Sequence, residues 1–173
     1  MFDYQADRLK DLLSEVVREN VSPDAWNWLQ EKVLKENGII VFASAFVAIP
    51  RKTGKSIITP TDAQNKLIQS LRPGLSVAGW PADRLCRAWL LLHAEASDKE
   101  KYTGFIESLF LTAEVNELVA LYAALPLLAY PGHWVWRCTE GIRSNIGDVL
   151  QAIICNNPYP AEYLPEPAWN QLV

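Results

Sequence analysis

The sequence predicts an all-α protein, and three observations predict it. Apolar residues recur at helical spacing through almost every segment, capping and chain-breaking residues bracket those segments, and no stretch sustains period-two alternation beyond a few residues around Ser56 to Thr59. About eight or nine helices in antiparallel hairpins follow, closing as a short HEAT-like α-solenoid or an irregular helical bundle.

The elements are read in chain order. Leu9, Leu12, Leu13, Val16 and Val17 share one face of a first helix. Ser22 caps a second, Pro23 takes its first position, and Asn37-Gly38 offers a left-handed stop, so this helix carries Trp26, Leu29 and Val33. The run Ile39 to Ile49 reads as a helix buried all round and ended by Pro50. After the loop IPRKTGKSIITPT comes a helix near Ala63 to Leu71, stopped by Pro73-Gly74. Leu85, Ala88, Trp89 and Leu92 mark the next, and Tyr102, Phe105, Ile106, Leu109, Phe110 and Ala113 the strongest stripe. An apolar helix containing Leu118 to Leu125 precedes a long one that starts near His133, with Val135, Cys138, Ile142, Ile146, Val149 and Ile153 on one face.

Composition narrows the function classes. The chain of 173 residues is half apolar and carries a formal charge of -4 with no basic run, which argues against nucleic acid as a partner. Neither apolar run approaches the roughly 20 residues needed to span a bilayer, so no transmembrane segment is expected. Cys86, Cys138 and Cys155 lack CxxC spacing and lie in apolar-periodic segments, which suggests buried thiols in a reducing compartment, the cytoplasm. His93 and His133 have no ligands at metal spacing, so neither a metal nor a cofactor is implied. RKTGKS contains the GKS of a phosphate loop, but Ile49 stands where its first glycine should be and Pro50 removes an amide. A solvated basic loop, with Arg51, Lys52 and Lys55 able to touch an anion, is the simpler reading. Ser144 lacks a GxSxG elbow.

The segment RCTEGIRSNIGDVLQAII is the most informative. Gly141 and Gly147 each cost about 1 kcal/mol relative to alanine within a helix, so something should approach closely there. On a continuous helix Trp134, Cys138, Gly141, Asn145 and Asp148 form one ridge, which leaves Asn145 half buried. Arg137, Glu140 and Arg143 make a surface ion-pair ladder, or Arg143 and Asn145, with Glu140 holding the arginine, make a set that reads a carboxylate or phosphate. Asn156-Asn157 stops the helix, and Pro158 and Pro160 force extended geometry that braces Tyr159, Tyr163 and Trp169 against its end. Trp134, Arg137, Glu140, Arg143, Asn145, Asn157 and Tyr159 are therefore the candidate ligand-binding residues of a groove between ridge and tail.

Several ordered motifs resemble the EboA family: ALYAALPLL (Ala120 to Leu128), EGIRSN (Glu140 to Asn145), NNPYPAEYL (Asn156 to Leu164) and AWNQ (Ala168 to Gln171). PRKTGK and RPG (Arg72 to Gly74) are similar more weakly, and no likeness is traced before Ile40. The family pattern continues past AWNQ into a further apolar helical stretch, where this chain stops at Val173. The resemblance implies a place in a bacterial gene cluster for secondary metabolites, beside prenyltransferase-like, sugar-phosphate cyclase-like and TIM-barrel proteins, and supplies no catalytic residues. One all-α domain over residues 1–173 is expected, with N-terminal helices at 1–49 and the family-like region at 75–173. The expected function is a non-catalytic accessory protein that binds a small-molecule metabolite or partner enzymes of the pathway. The alternatives are an enzyme acting on an isoprenoid- or cyclitol-derived intermediate through Glu140 and Arg143, and a purely structural scaffold.

Overall fold

Helical periodicity with capped ends does produce an all-α protein. The computed structural model describes residues 1–172, among which lie eleven α-helices, two short 3-10 helices and no strand. The Ser56 to Thr59 stretch makes a single antiparallel bridge, Ile57 to Pro81.

The N-terminal helices obey their local signals in part. α1 (Ala6–Asn20) buries the five apolar residues of its stripe. α2 (Pro23–Lys32) starts on Ser22, whose hydroxyl accepts from the Ala25 N–H at 3.1 Å. It ends well before Asn37-Gly38, because Val33 already leaves helical geometry and Asn37 folds back to donate to the Glu31 carbonyl. α3 (Ile39–Thr53) runs through Pro50 and stops at Gly54, whose φ of 71° is left-handed. α3 is not buried all round: Ile40 is 83 % exposed and Val47 52 %. Together with Ser44, one turn after Ile40, and Arg51, one turn after Val47, they form an outward ridge.

α4 (Asp62–Leu71) opens on a capping box between Thr61 and Gln64. α5 (Ala82–Leu91) is buried at nearly every position and lies at the centre, against α1, α3 and the later α7 (Val115–Ala123). α6 (Lys99–Thr112) is capped by Asp98 and sets Phe105 edge-on to Phe42 of α3, with ring centroids 5.0 Å apart. The alternate helices α3, α5 and α7 pack side by side, and α9 (Gly147–Ile154) extends that row. A single cluster of buried side chains runs from Leu9 to Tyr159.

The long helix expected after His133 is two helices, α8 (Val135–Arg143) and α9. Asn145 takes a left-handed φ of 56°, and the Ser144 hydroxyl caps the broken end by donating to the Gly141 carbonyl at 2.7 Å. The two pieces fold back on each other as a hairpin, which splits the proposed ridge and leaves Asn145 exposed. Gly147 is accordingly the first residue of α9, with open space around it. Gly141 does meet a close approach. A Cβ there would lie 2.6 Å from the Tyr122 ring and 2.8 Å from Ile153 Cδ1.

The proline-rich tail is helical where extended geometry was expected. Pro158 adopts right-handed helical angles and opens α10 (Tyr159–Tyr163), with α11 (Glu166–Leu172) beyond it. Prolines are tolerated there because the first turn of a helix has no internal partner for its amides. Of the three cysteines, Cys86 and Cys138 are buried, but Cys155 is exposed where α9 runs out.

Candidate functional site

The sequence-predicted residues fall in three places and do not share a recess. Trp134 and Tyr159 are fully buried. The indole Nε1 of Trp134 donates to the Ala129 carbonyl at 2.8 Å, and the Tyr159 hydroxyl donates to the Pro131 carbonyl at 2.6 Å. Asn157 spends both amide hydrogens on the carbonyls of Tyr122 and Ala152, each at 3.0 Å. Asn157 and Tyr159 bind the tail to the core, whereas Trp134 is bonded within its own segment. Arg143 and Glu140 form an exposed ion pair at 3.0 Å, and Asn145 points into the same solvent-facing break. Arg137 turns the other way, to the Glu107 carboxylate on α6, with its guanidinium over the Trp136 and Phe110 rings.

The RPG stretch is a latch for the tail. Arg72, almost fully buried, donates through Nε to the Pro126 carbonyl at 2.8 Å and grips both carboxylate oxygens of Glu162 at 2.7 and 3.0 Å. Gly74 lets the chain pass Pro158: its φ is 88°, and a Cβ there would sit 2.9 Å from the Pro158 Cβ.

An open polar cleft lies elsewhere, at the C-terminal end of α3. It has a volume of about 250 Å³ and is lined by Val47, Pro50, Arg51, Lys55, Arg87, Glu114, Asn116 and Glu117. Its construction starts from a proline. Pro50 lacks the N–H that would bond the Phe46 carbonyl one turn back, so that acceptor is left open inside the protein. Arg87, from the central helix α5, fills the position by donating through Nε to the Phe46 carbonyl at 2.9 Å. Its guanidinium lies over the Phe46 ring, 5.2 Å from the centroid.

With its Nε fixed, Arg87 still has four N–H bonds to place. The residue is 2 % exposed, and its Nη1 has no hydrogen-bond partner among the described residues; the nearest carboxylate, Oδ2 of Asp83, is 3.7 Å away. The other oxygen of Asp83, Oδ1, is likewise buried and unpartnered. Burial pulls the Arg87 pKa down, with Glu117, Asp83 and Glu114 acting in the opposite direction. Glu117, also buried, lines the cleft from α7. Arg87 is thus a rigid, nearly buried cation in the lining of an open cleft, with its Nη1 closed off beside Asp83.

A second cleft, between α1 and α4, has a volume of about 240 Å³ and is lined by Arg8, Asp11, Leu12, Glu15, Leu67 and Leu71. No buried unpartnered side chain reaches it. His93 is the satisfied border residue its position suggests: its Nδ1 donates to the Trp89 carbonyl at 2.9 Å, and burial lowers its pKa. Among the described residues, no group of His, Cys, Asp and Glu could hold a metal ion, and no helix is long and apolar enough to cross a membrane.

Sequence reading named two of the cleft's basic residues, Arg51 and Lys55, and missed its floor. Asp83 and Arg87 sit four apart on α5, a spacing that reads as an ordinary surface pair until the helix is known to be buried. The signal that could have found them is Pro50 within an apolar helix, since it demands an outside donor.

Residues 9–173 match the family model described as metabolite traffic protein EboA. The chain belongs to the EboA family. The match carries the likeness through the N-terminal helices, well before Ile40, so α1 to α3 and the cleft they help build lie within the family's span. Neither a curated protein nor a solved structure is matched. The family description speaks of metabolite traffic, which concerns the handling of a small molecule.

Proposed function

We propose that this EboA-family chain is a non-catalytic accessory protein of a bacterial secondary-metabolite pathway, acting in the cytoplasm, and that it binds a small polar metabolite at the Arg87 cleft. The observation that carries this reading is a nearly buried guanidinium, fixed through Nε to the Phe46 carbonyl, in the lining of an open polar cleft. A ligand acceptor that meets this cation makes a charge-assisted hydrogen bond, roughly twice as strong as a neutral one. The cleft, at about 250 Å³, falls below the roughly 300 to 1,000 Å³ of sites that enclose a whole drug-sized ligand. It therefore grips one polar end of its ligand, with the outward ridge of α3 beside its mouth. A protein that holds its cargo by one end can hand it to an enzyme. A catalytic reading through Glu140 and Arg143 draws no support from their exposed pairing.

The test is affinity purification from native cells, with mass spectrometry of the extractable small molecules, for the wild type and D83N/R87M. That variant removes both charges of the buried pair together, so that neither is stranded. A compound enriched on the wild type and absent from D83N/R87M is the expected result. Equal recovery from both proteins, or no enrichment on either, would refute the reading.

A further inference from the structure

The cleft has two poles. Arg51 and Lys55 line it from the end of α3 and the loop after it, Glu114 and Glu117 from the start of α7, and Arg87 from the floor. None of the ion pairs closed within 4 Å among the described residues joins Arg51 or Lys55 to Glu114 or Glu117. Arg51 and Lys55 thus stand apart from these carboxylates, while Glu117 and Glu114 act on the Arg87 guanidinium. A bare anion would meet Arg87 but also face two carboxylates, and a bare amine would meet the carboxylates but also face three cations.

From this arrangement, and resting on the assignment of the cleft as the binding site, we propose that the polar end of the ligand is an amino-acid zwitterion. Its carboxylate meets the Arg87 guanidinium with Arg51 and Lys55 on that side, and its ammonium donates to Glu117 and Glu114. Both halves are then paired where either alone is opposed. The volume of about 250 Å³ accommodates a free amino acid or the amino-carboxylate end of a larger molecule derived from one. Side chain or remainder leaves past Val47, which lines the cleft and is itself half exposed on the α3 ridge.

Titration calorimetry on the full chain tests this. The free L-amino acids are the first probes, at up to millimolar concentration. The tightest is then compared with the amine lacking its carboxylate and the acid lacking its amino group; for L-leucine these are isopentylamine and 4-methylpentanoate. The proposal expects the amino acid to bind at least about tenfold more tightly than either analogue. E114Q/E117Q should reduce it to the level of the acid, and R51A/K55A should weaken it towards the level of the amine. Failure of every amino acid to bind, or an acid analogue that binds as tightly as its parent, overturns the zwitterion. If native purification still yields a compound that depends on Asp83 and Arg87, the cleft remains a binding site and only its ligand class is wrong. If that dependence is also missing, the site assignment itself falls.

Discussion

Arg87 donates to the Phe46 carbonyl, the acceptor that Pro50 leaves open one turn further along α3. Two departures from local rules, a proline inside a helix and an arginine inside a core, therefore compensate each other. R87M should lower stability by about 3 to 5 kcal/mol, because it strands Asp83 in the interior and frees the Phe46 carbonyl at once. In P50A the alanine brings back an N–H for that carbonyl, which matters more when Arg87 is absent. Urea unfolding of R87M, P50A and the double variant should give a coupling of about 1 kcal/mol in favour of the pair. Strict additivity would show that the two residues do not share the carbonyl.

Gly141 and Gly147 make opposite predictions from the same residue type. G141A drives a methyl into the Tyr122 ring and Ile153, so the melt should fall by the equivalent of about 1 to 3 kcal/mol despite the better helix propensity of alanine. At Gly147 nothing lies near, and G147A should be neutral or stabilising by up to about 1 kcal/mol. Equal melts for the two variants would contradict the hairpin of α8 and α9.

The tail should be held mainly through Arg72. E162Q keeps the shape of the side chain but removes the charge opposite a nearly buried guanidinium, at a cost of about 1.5 to 3 kcal/mol. The loss should change little with salt, because the arginine side is shielded from it. A loss that vanishes at high salt would place the pair on an open surface instead.

Thiol chemistry separates the three cysteines. Burial pushes the thiols of Cys86 and Cys138 from an ordinary 9.0 up to about 12, whereas Cys155 is exposed. At pH 8 a disulfide reagent should modify one thiol per native chain and three after unfolding. The phenols of Tyr102 and Tyr122 are likewise raised by burial, from 10.0 to about 12. These groups hold their protons more tightly folded than unfolded, so the stability they contribute is intact below pH 9. It is lost as the pH climbs from 9 towards 12, by about 1.4 kcal/mol per unit for each group between its two values. A melt that stays flat to pH 11, or a second reactive thiol in the native protein, would count against the buried positions of these groups.

Helices were legible from a strong apolar stripe, as in α1 at Leu9 to Val17, or from a cap, as in α2 at Ser22-Pro23. The break at Asn145 was not, because apolar residues from Val135 to Ile153 keep helical register across it, and a left-handed asparagine leaves no mark on periodicity. Pro50 was misread as a stop for a related reason. Whether a proline ends a helix depends on what can serve the orphaned carbonyl, and here the donor lies far along the chain, at Arg87. The same distance hid the cleft. Its basic loop showed as RKTGK, while its floor is Arg87, on a helix whose central position only the assembled core reveals. Trp134 and Tyr159 drew notice as aromatics beside a proline tail, and the fold buries both and uses Tyr159 to lock that tail in place.

The guanidinium of Arg87 can be observed directly in the ¹H–¹⁵N spectrum of the arginine side chains, recorded before and after adding the small-molecule extract of native cells. The Arg87 signals, identified by their loss in D83N/R87M, should shift and show slowed rotation about the guanidinium while those of Arg137 and Arg143 stay in place. Arg87 unchanged while Arg143 or Arg137 responds would contradict the account and return the binding site to the C-terminal helices.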